Sequence, residues 1–413
     1  MTETLDGTTL LPLPLEGVRI VECGVWHAGP GAAAILADLG AEVIKIEPLA
    51  GDDERRFGTF GQTERFTGDD RTDWTPIYEI SNRNKKGIAL EITSEEGREI
   101  LGKLVATADI FVTNMRKPTV SKLGLDYETL SKRNSKLIHM SVSGFGAEGP
   151  MAGVGALEPT GQAISGMAFL AGSEQPTVLQ LVLLDQMTAI TASHAMLTAL
   201  YVRDRTGRGQ ALHASLYGSA MWMMYANIFG SSVTHTNLMR PWDRTGIPPM
   251  RSTYRCSDGK WVMGACHPEH KYWSAFCDAL GLTELEHDPR FATPDARSAN
   301  NAELFAIVEK VILTKTRAEW LDLFARNNLN FAPVHDYFDI LEDPQAQANG
   351  YVFDYEHPIM GKVSLPGYPI QFSANRTRFE PAPALGEHTD LILSEIGLGS
   401  SDIAGLREAG VVK

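Results

Sequence analysis

The chain has 413 residues, 43% hydrophobic and 21% charged, with a formal net charge of −14 at pH 7. That length suggests two or three domains with a large core, and the acidic balance argues against general nucleic-acid binding, which needs a basic face to neutralise phosphates. No apolar run approaches the roughly 18 residues of a membrane span, so no membrane partner is expected. The four cysteines, Cys23, Cys256, Cys266 and Cys277, show no metal-ligand spacing. They read as reduced thiols of a cytoplasmic protein without a metal site. The opening MTETLDGTTLLPLPLEG lacks the basic start of a secretion signal.

From the start of the chain, strand and helix signals alternate. GVRIVECG is an apolar strand, GPGAAAILADLG a small-residue helix and AEVIKIE a second strand. GIALEI, the helix SEEGREILGKLVATA, the strand DIFVTNM, the segment LDYETLSKRNSK and the strand LIHMSVSGF continue the pattern. Strands separated by helices of this kind predict an α/β fold with a parallel, doubly wound sheet. After a long helix beginning near Asp185, RDRTGRGQALHASL leads into a further strand or helix.

The character changes near residue 225, where Pro, Arg and turn residues accumulate and SDGK marks a hairpin. Helices are expected at HKYWSAFCDALGL, NNAELFAIVEKVILTK and TRAEWLDLFARNN. The expected division is a large domain over 1–227, a smaller α+β domain over 228–330, and a segment 331–413 that returns to the large domain.

The first strand–loop–helix unit has the outline of a dinucleotide site, with Glu47 where a ribose-binding acid would stand. The fingerprint is missing. The loop runs Gly24, Val25, Trp26, His27, Ala28, Gly29, Pro30, and Trp26 occupies a place where a pyrophosphate needs close backbone approach. The loop and the following helix N-terminus still suit some other anion.

Two basic clusters follow strand boundaries: Arg83, Lys85 and Lys86 before one strand, and Arg116, Lys117 and Lys122 after another. In an acidic chain, two such clusters on neighbouring α/β units suggest a shared site for a phosphorylated ligand.

GFGAEGPMAGVGALEPTGQAISGMAFLAG places Glu158 in a glycine-rich loop leading to a short helix. In LVLLDQMTAITASHAMLTAL, Asp185 stands alone at the junction of an apolar run and a helix. Asp is favoured just before a helix, so a capping role competes with a chemical one. No serine nucleophile elbow, H-E-x-x-H motif or Cys–His signature is present, which leaves the two carboxylates as the chemical candidates.

In order and spacing these blocks resemble the class III CoA-transferases, the family of formyl-CoA transferase and carnitine CoA-transferase. The likeness runs from LEGVRIVECGVWHAGPGAAAILADLGAEVIKIEP through NRNKKGIALEI, ADIFVTNMRKPTVSKLGLDYETL, LIHMSVSGFGAEGP, TGQAISG and TGRGQALHASL to HPIMGKVSLPGYPIQFS.

The resemblance implies a Rossmann-like large domain, a small domain and an interlocked dimer, either a homodimer or a heteromer with a related subunit. It implies an acyl-CoA:carboxylate CoA-transferase with no tightly bound cofactor, acting on a coenzyme A thioester and a small organic acid. Asp185 matches the nucleophilic aspartate, which passes through an aspartyl anhydride and an aspartyl-CoA thioester. A helix N-terminus would help keep it ionised. Glu158 matches an acid near the reaction centre, and His27 stands where some relatives carry a catalytic Gln. Trp26, Ala28, Lys85, Asn114, Met115, Arg116 and Lys122 match positions that line the CoA.

Two departures stand out: Pro48 replaces a basic residue that can follow the second strand, and no glycine-rich covering loop is legible around DRTGIPPMRS. An α-methylacyl-CoA racemase is the alternative within the superfamily, but Leu157 stands where its His would fall. A non-catalytic subunit of a heteromeric transferase is the other alternative. Trp222, Met223, Met224 and Tyr225 suggest a bulky aromatic or branched acceptor, and succinyl-CoA is the donor expected by family analogy.

Overall fold

The computed structural model describes residues 4–5, 8–9, 11–57, 74–171, 175–179, 182–238 and 244–413. Two compact units result, one of 1–240, 355–363 and 368–413 and the other of 241–354 and 364–367.

The first unit is built on six parallel strands: β1 (Arg19–Cys23), β2 (Glu42–Glu47), β3 (Lys85–Ala89), β4 (Ile110–Thr113), β5 (Ile138–Ser143) and β6 (Gln210–Ser215). Their order is β3-β2-β1-β4-β5-β6. Ile20, Val21, Ile44, Ile110, Phe111 and Ile138 are fully buried, as expected of parallel strands covered on both faces. The segment RDRTGRGQALHASL resolves as a strand, β6. Because β1 is followed in space by β2 on one side and β4 on the other, the order reverses there. Ligands of open α/β sheets bind beyond the carboxyl ends of the strands at such a point.

The helices that matter to the site are α1 (Ala28–Asp38), α2 (Pro76–Asn82), α3 (Glu95–Ala106), α4 (Lys117–Leu123), α5 (Glu158–Ser165), α6 (Leu183–Thr206), α7 (Leu216–Met223) and α8 (Tyr225–Thr234). Helix α1 is nearly all small residues, and Ala32, Ala33, Ala34, Leu36 and Ala37 are fully buried. That composition lets α6 approach closely through Ala189 and Ala192, which join the same core cluster. A Cβ added at Gly31 would sit 2.9 Å from His27 Cε1 and 3.2 Å from the Ala189 methyl. Glycine is thus required for α6, α1 and the His27 ring to meet.

Ile392, Leu393 and Ile403, from helices near the end of the chain, bury in the second core cluster with Val21, Ile44 and Phe111. The second unit has its own core, with Trp320, Phe276 and Phe324 fully buried. Its antiparallel sheet joins Thr253–Arg255, Trp261–Gly264 and Phe331–Val334. The expected SDGK hairpin connects the first two, with Gly259 at φ 80°. Asp243, which opens the stretch DRTGIPPMRS, lies outside the described residues.

Candidate active site

The loop after β1 and the loop after β4 are tied together at the switch point. Val25 N–H donates to Asn114 Oδ1 at 3.0 Å, and Asn114 Nδ2 donates to Val25 O at 2.5 Å. Between them they commit the Asn114 carboxamide to holding the loop. Trp26, one residue on, is in the left-handed region at φ 61°, packs edge-on against Phe57 at 5.2 Å, and is half-buried. Ala28 begins α1 with its methyl in the core, so only its backbone can face a ligand.

Beneath this loop lies a buried charge network. Lys45 donates to Glu22 at 3.2 Å, Asp52 at 3.0 Å and Gly24 O at 3.2 Å. Lys85 also pairs with Glu22, and donates to Pro30 O at 2.9 Å, Ser81 O at 2.7 Å and Asn82 Oδ1 at 3.0 Å. Its ammonium is therefore enclosed by internal acceptors and props the loop from below, which corrects its expected place on a CoA phosphate. Arg83 and Lys86 are likewise paired, with Asp38 and with Glu42 and Glu395. Glu47, the would-be ribose acid, holds Arg55 at 2.7 Å and accepts from Tyr78 Oη at 3.1 Å.

His27 is buried and anchored at both ring nitrogens. Nδ1 lies 2.8 Å from Ser81 Oγ and Nε2 lies 2.6 Å from Gln186 Oε1. Burial lowers its pKa to about 4, so the ring is neutral at physiological pH. Ser81 Oγ in turn lies 2.9 Å from Glu54 Oε1. Burial, reinforced by the Asp52 carboxylate, pushes Glu54 up to about 8.

Gln186 belongs to the first turn of α6, as does Asp185. The residue that caps this turn is Val182, so Asp185 is inside the helix and is not its N-cap. The first-turn donors are instead taken by Glu158 from α5. Leu184 N–H reaches Glu158 Oε1 at 3.0 Å and Asp185 N–H reaches Oε2 at 2.8 Å. Gln162 Nε2 adds a third bond to Glu158 at 2.8 Å. Among the described residues no donor is bonded to the Asp185 carboxylate. Burial, with the Glu158 carboxylate adding to it, raises the Asp185 pKa to about 7. The expectation that the helix terminus holds Asp185 ionised is thus corrected, because Glu158 occupies the donors that would have done so.

The second basic cluster differs from the first. Arg116, Lys117 and Lys122 are exposed, and among the described residues none is paired with a carboxylate. The Arg116 guanidinium lies against Gly155, where a Cβ would come within 2.6 Å of it. This contact brings the glycine-rich segment beside the end of β4. Met115 packs half-buried against the core.

The structure therefore brings Asp185, Glu158 and His27 together, with Trp26 and Arg116 on the loops at the switch point. It turns Lys85, Ala28 and the Asn114 side chain inward. The sequence reading missed Gln186, Ser81 and Glu54, which complete the His27 chain. Gln186, directly after the acid, carried the one local signal available.

At the switch point of a parallel α/β sheet the structure thus gathers an Asp185 carboxyl of raised pKa, a second carboxylate against it, a buried neutral His and exposed basic residues. Residues 15–389 match CoA-transferase family III. The (R)-2-hydroxy-4-methylpentanoate CoA-transferase of Clostridioides difficile is 30% identical, covering 97% of this chain and 99% of its own. The succinyl-CoA:glutarate CoA-transferase of Mus musculus is 33% identical, covering 93% and 86%. A CAIB/BAIF family protein from Brucella suis superimposes with a TM-score of 0.83 at 31% identity, over 93% of this chain and 99% of that one. The chain belongs to CoA-transferase family III, and it is an enzyme of that family.

Proposed function

We propose that the protein moves CoA from an acyl-CoA donor to a carboxylic acid with Asp185 as the nucleophile. The observation that carries this reading is the Asp185 carboxylate itself, which has no donor among the described residues and stands in surroundings that raise it to about 7. Such an acid is costly unless chemistry uses it.

In the proposed cycle an Asp185 carboxylate oxygen attacks the thioester carbonyl. The C–S bond breaks, and CoA thiolate leaves a mixed anhydride behind. The thiolate attacks the aspartyl carbonyl, the first acid departs as its carboxylate, and an aspartyl-CoA thioester remains. The acceptor carboxylate then attacks that thioester, and the same steps in reverse return free Asp185. A thioester replaces a thioester, so no ATP enters. Trp26 and the exposed Arg116, Lys117 and Lys122 would receive the CoA portion at the switch point.

A branched or aromatic acid is the proposed acceptor and succinyl-CoA the proposed donor. The methylpentanoate in the name of the first transferase above supports a branched acceptor, and the succinyl-CoA in the name of the second supports the donor. Two copies of the chain are proposed to interlock. The decisive experiment is incubation with a panel of acyl-CoA thioesters followed by hydroxylamine trapping and peptide mapping. A hydroxamate on the peptide carrying Asp185 is expected. Acyl exchange without any such adduct overturns the nucleophile.

A further inference from the structure

Attack on a thioester needs a donor aimed at the carbonyl oxygen, where negative charge develops. The backbone donors of Asp185 and its two neighbours are taken: Leu184 N and Asp185 N by Glu158, and Gln186 N by Val182 O at 3.1 Å. The first turn of α6 offers one other polar group beside Asp185, the Gln186 carboxamide, which is exposed. Its Oε1 faces His27 Nε2, and among the described residues its Nε2 has no acceptor.

Which way this carboxamide points is set by a chain of hydrogen bonds. A neutral imidazole donates at one nitrogen and accepts at the other. If His27 Nε2 carries the proton, it donates to Gln186 Oε1 and leaves the N–H₂ free. That tautomer needs Nδ1 to accept from Ser81 O–H. Ser81 is free to donate there only if Glu54 does not take its proton. Glu54 is held neutral at pH 7 by burial and by Asp52, so its own O–H serves Ser81 Oγ. Its Oε2 is buried with no partner, as suits a neutral acid better than a carboxylate. The remaining neighbour of the Ser81 hydroxyl is the Ile77 carbonyl at 2.9 Å. Besides Asp52, the charged groups acting on Glu54 are Lys45 and Lys85, both pulling its pKa down.

We propose that the Gln186 carboxamide N–H₂ donates to the thioester carbonyl oxygen during attack by Asp185, and that His27, Ser81 and Glu54 are positioning residues that orient it. This inference rests on Asp185 being the nucleophile. Once Glu54 ionises, its carboxylate accepts the Ser81 O–H hydrogen bond. His27 then carries its proton on Nδ1, Nε2 accepts from Gln186, and the carboxamide presents its oxygen to the substrate instead.

The test uses the full chain and the acyl-CoA thioester that loads Asp185 fastest in the panel above. Gln186→Ala should slow single-turnover loading of Asp185 by about 100-fold, with the dissociation constant for CoA within about three-fold of wild type on a titration. Gln186→Met, which keeps the length without the amide, should match it. A purely structural role would move binding and thermal stability along with the rate. Wild-type loading should also fall above pH 8, and both variants should lack that fall. If Asp185 loads normally in the variants, Gln186 is not the donor. If no thioester loads Asp185 in the wild-type protein, the nucleophile assignment fails and this inference fails with it.

Discussion

Glu158 accepts the backbone N–H groups of Leu184 and Asp185 with its two carboxylate oxygens, at 3.0 and 2.8 Å, and thereby caps the helix on which Asp185 sits. One acid does the structural work that would otherwise fall to the other. It also places a second carboxylate against Asp185, and that proximity adds to the rise in the Asp185 pKa.

Asp185→Asn should therefore abolish transfer without harming the fold, since the side chain caps nothing. The amide has no carboxylate oxygen to give, so a loss of about three orders of magnitude or more is expected. Stability carries a sign. A carboxyl raised from 3.8 to about 7 contributes stability that is present below its ordinary pKa and lost as pH rises through the folded value. The Asn variant escapes that loss. It should be more stable than wild type at pH 8, on the order of 1–3 kcal/mol, and closer to it at pH 5. Urea titrations at the two pH values check this, and a variant weaker than wild type at pH 8 would contradict the assigned burial of Asp185.

Glu158→Gln keeps the size and one acceptor oxygen but removes the neighbouring charge. Asp185 should then ionise more easily. The acid limb of the pH–rate profile should move to lower pH, although the weakened cap costs about 1 kcal/mol of stability. An acid limb that stays in place would show that burial alone sets the Asp185 pKa.

The wild-type kcat/KM should trace a narrow bell. It rises through about pH 7 as Asp185 loses its proton and falls above about 8 as Glu54 loses its own. His27, near 4, contributes no limb in this range. Glu54→Gln cannot ionise and should lack the alkaline limb while keeping the acid one. A Gln variant with an unchanged alkaline limb removes Glu54 from the chain.

Much of the large unit is legible in the sequence, because parallel strands buried on both faces read as short apolar runs between helical segments. The chemistry-bearing acids and His27 are legible as residue types at the starts of helices. Their convergence is a tertiary fact. Ser81, Glu54 and Gln186 come from three separate segments, and no local pattern joins them to His27. The basic cluster around Lys85 misleads for a different reason. Successive residues of a strand face opposite sides, so in β3 Lys85 turns inward to Glu22 while Lys86 turns outward to Glu42 and Glu395. Both are equally basic in sequence, and only the register of the strand separates them.

That distinction predicts opposite outcomes for two sets of lysine and arginine variants. Arg116→Ala with Lys122→Ala should raise KM for several acyl-CoA donors by about ten-fold, steepen no preference among them, and leave stability nearly unchanged. Lys85→Met should leave Glu22 with Lys45 as its one ion-pair partner among the described residues and cost about 3–5 kcal/mol of stability. Thermal denaturation beside steady-state kinetics separates the two. If Lys85→Met is stable and only KM rises, the buried assignment of Lys85 is wrong.

The faces of α7 and α8 supply the last prediction. Trp222, Tyr225, Phe229 and Val233 are 67%, 59%, 60% and 62% exposed, and the aromatic rings form a continuous row, with Trp222 edge-on to Tyr225 at 5.6 Å and Tyr225 stacked on Phe229 at 6.1 Å. Contiguous apolar surface of this kind is uncommon on a protein that works alone, and a second copy of the chain is the proposed cover. Light scattering should give twice the chain mass of 45.2 kDa at assay concentration. Phe229→Glu with Val233→Glu introduces charges that repel across a self-complementary contact and cannot be desolvated there, so the double variant should dissociate and its melting temperature should fall. These residues hold no core position, and Glu on exposed helix sites is tolerated locally. Any loss of stability therefore reports the contact between chains and not the fold of one. An active wild-type species with the mass of a single chain would show that the row has another purpose.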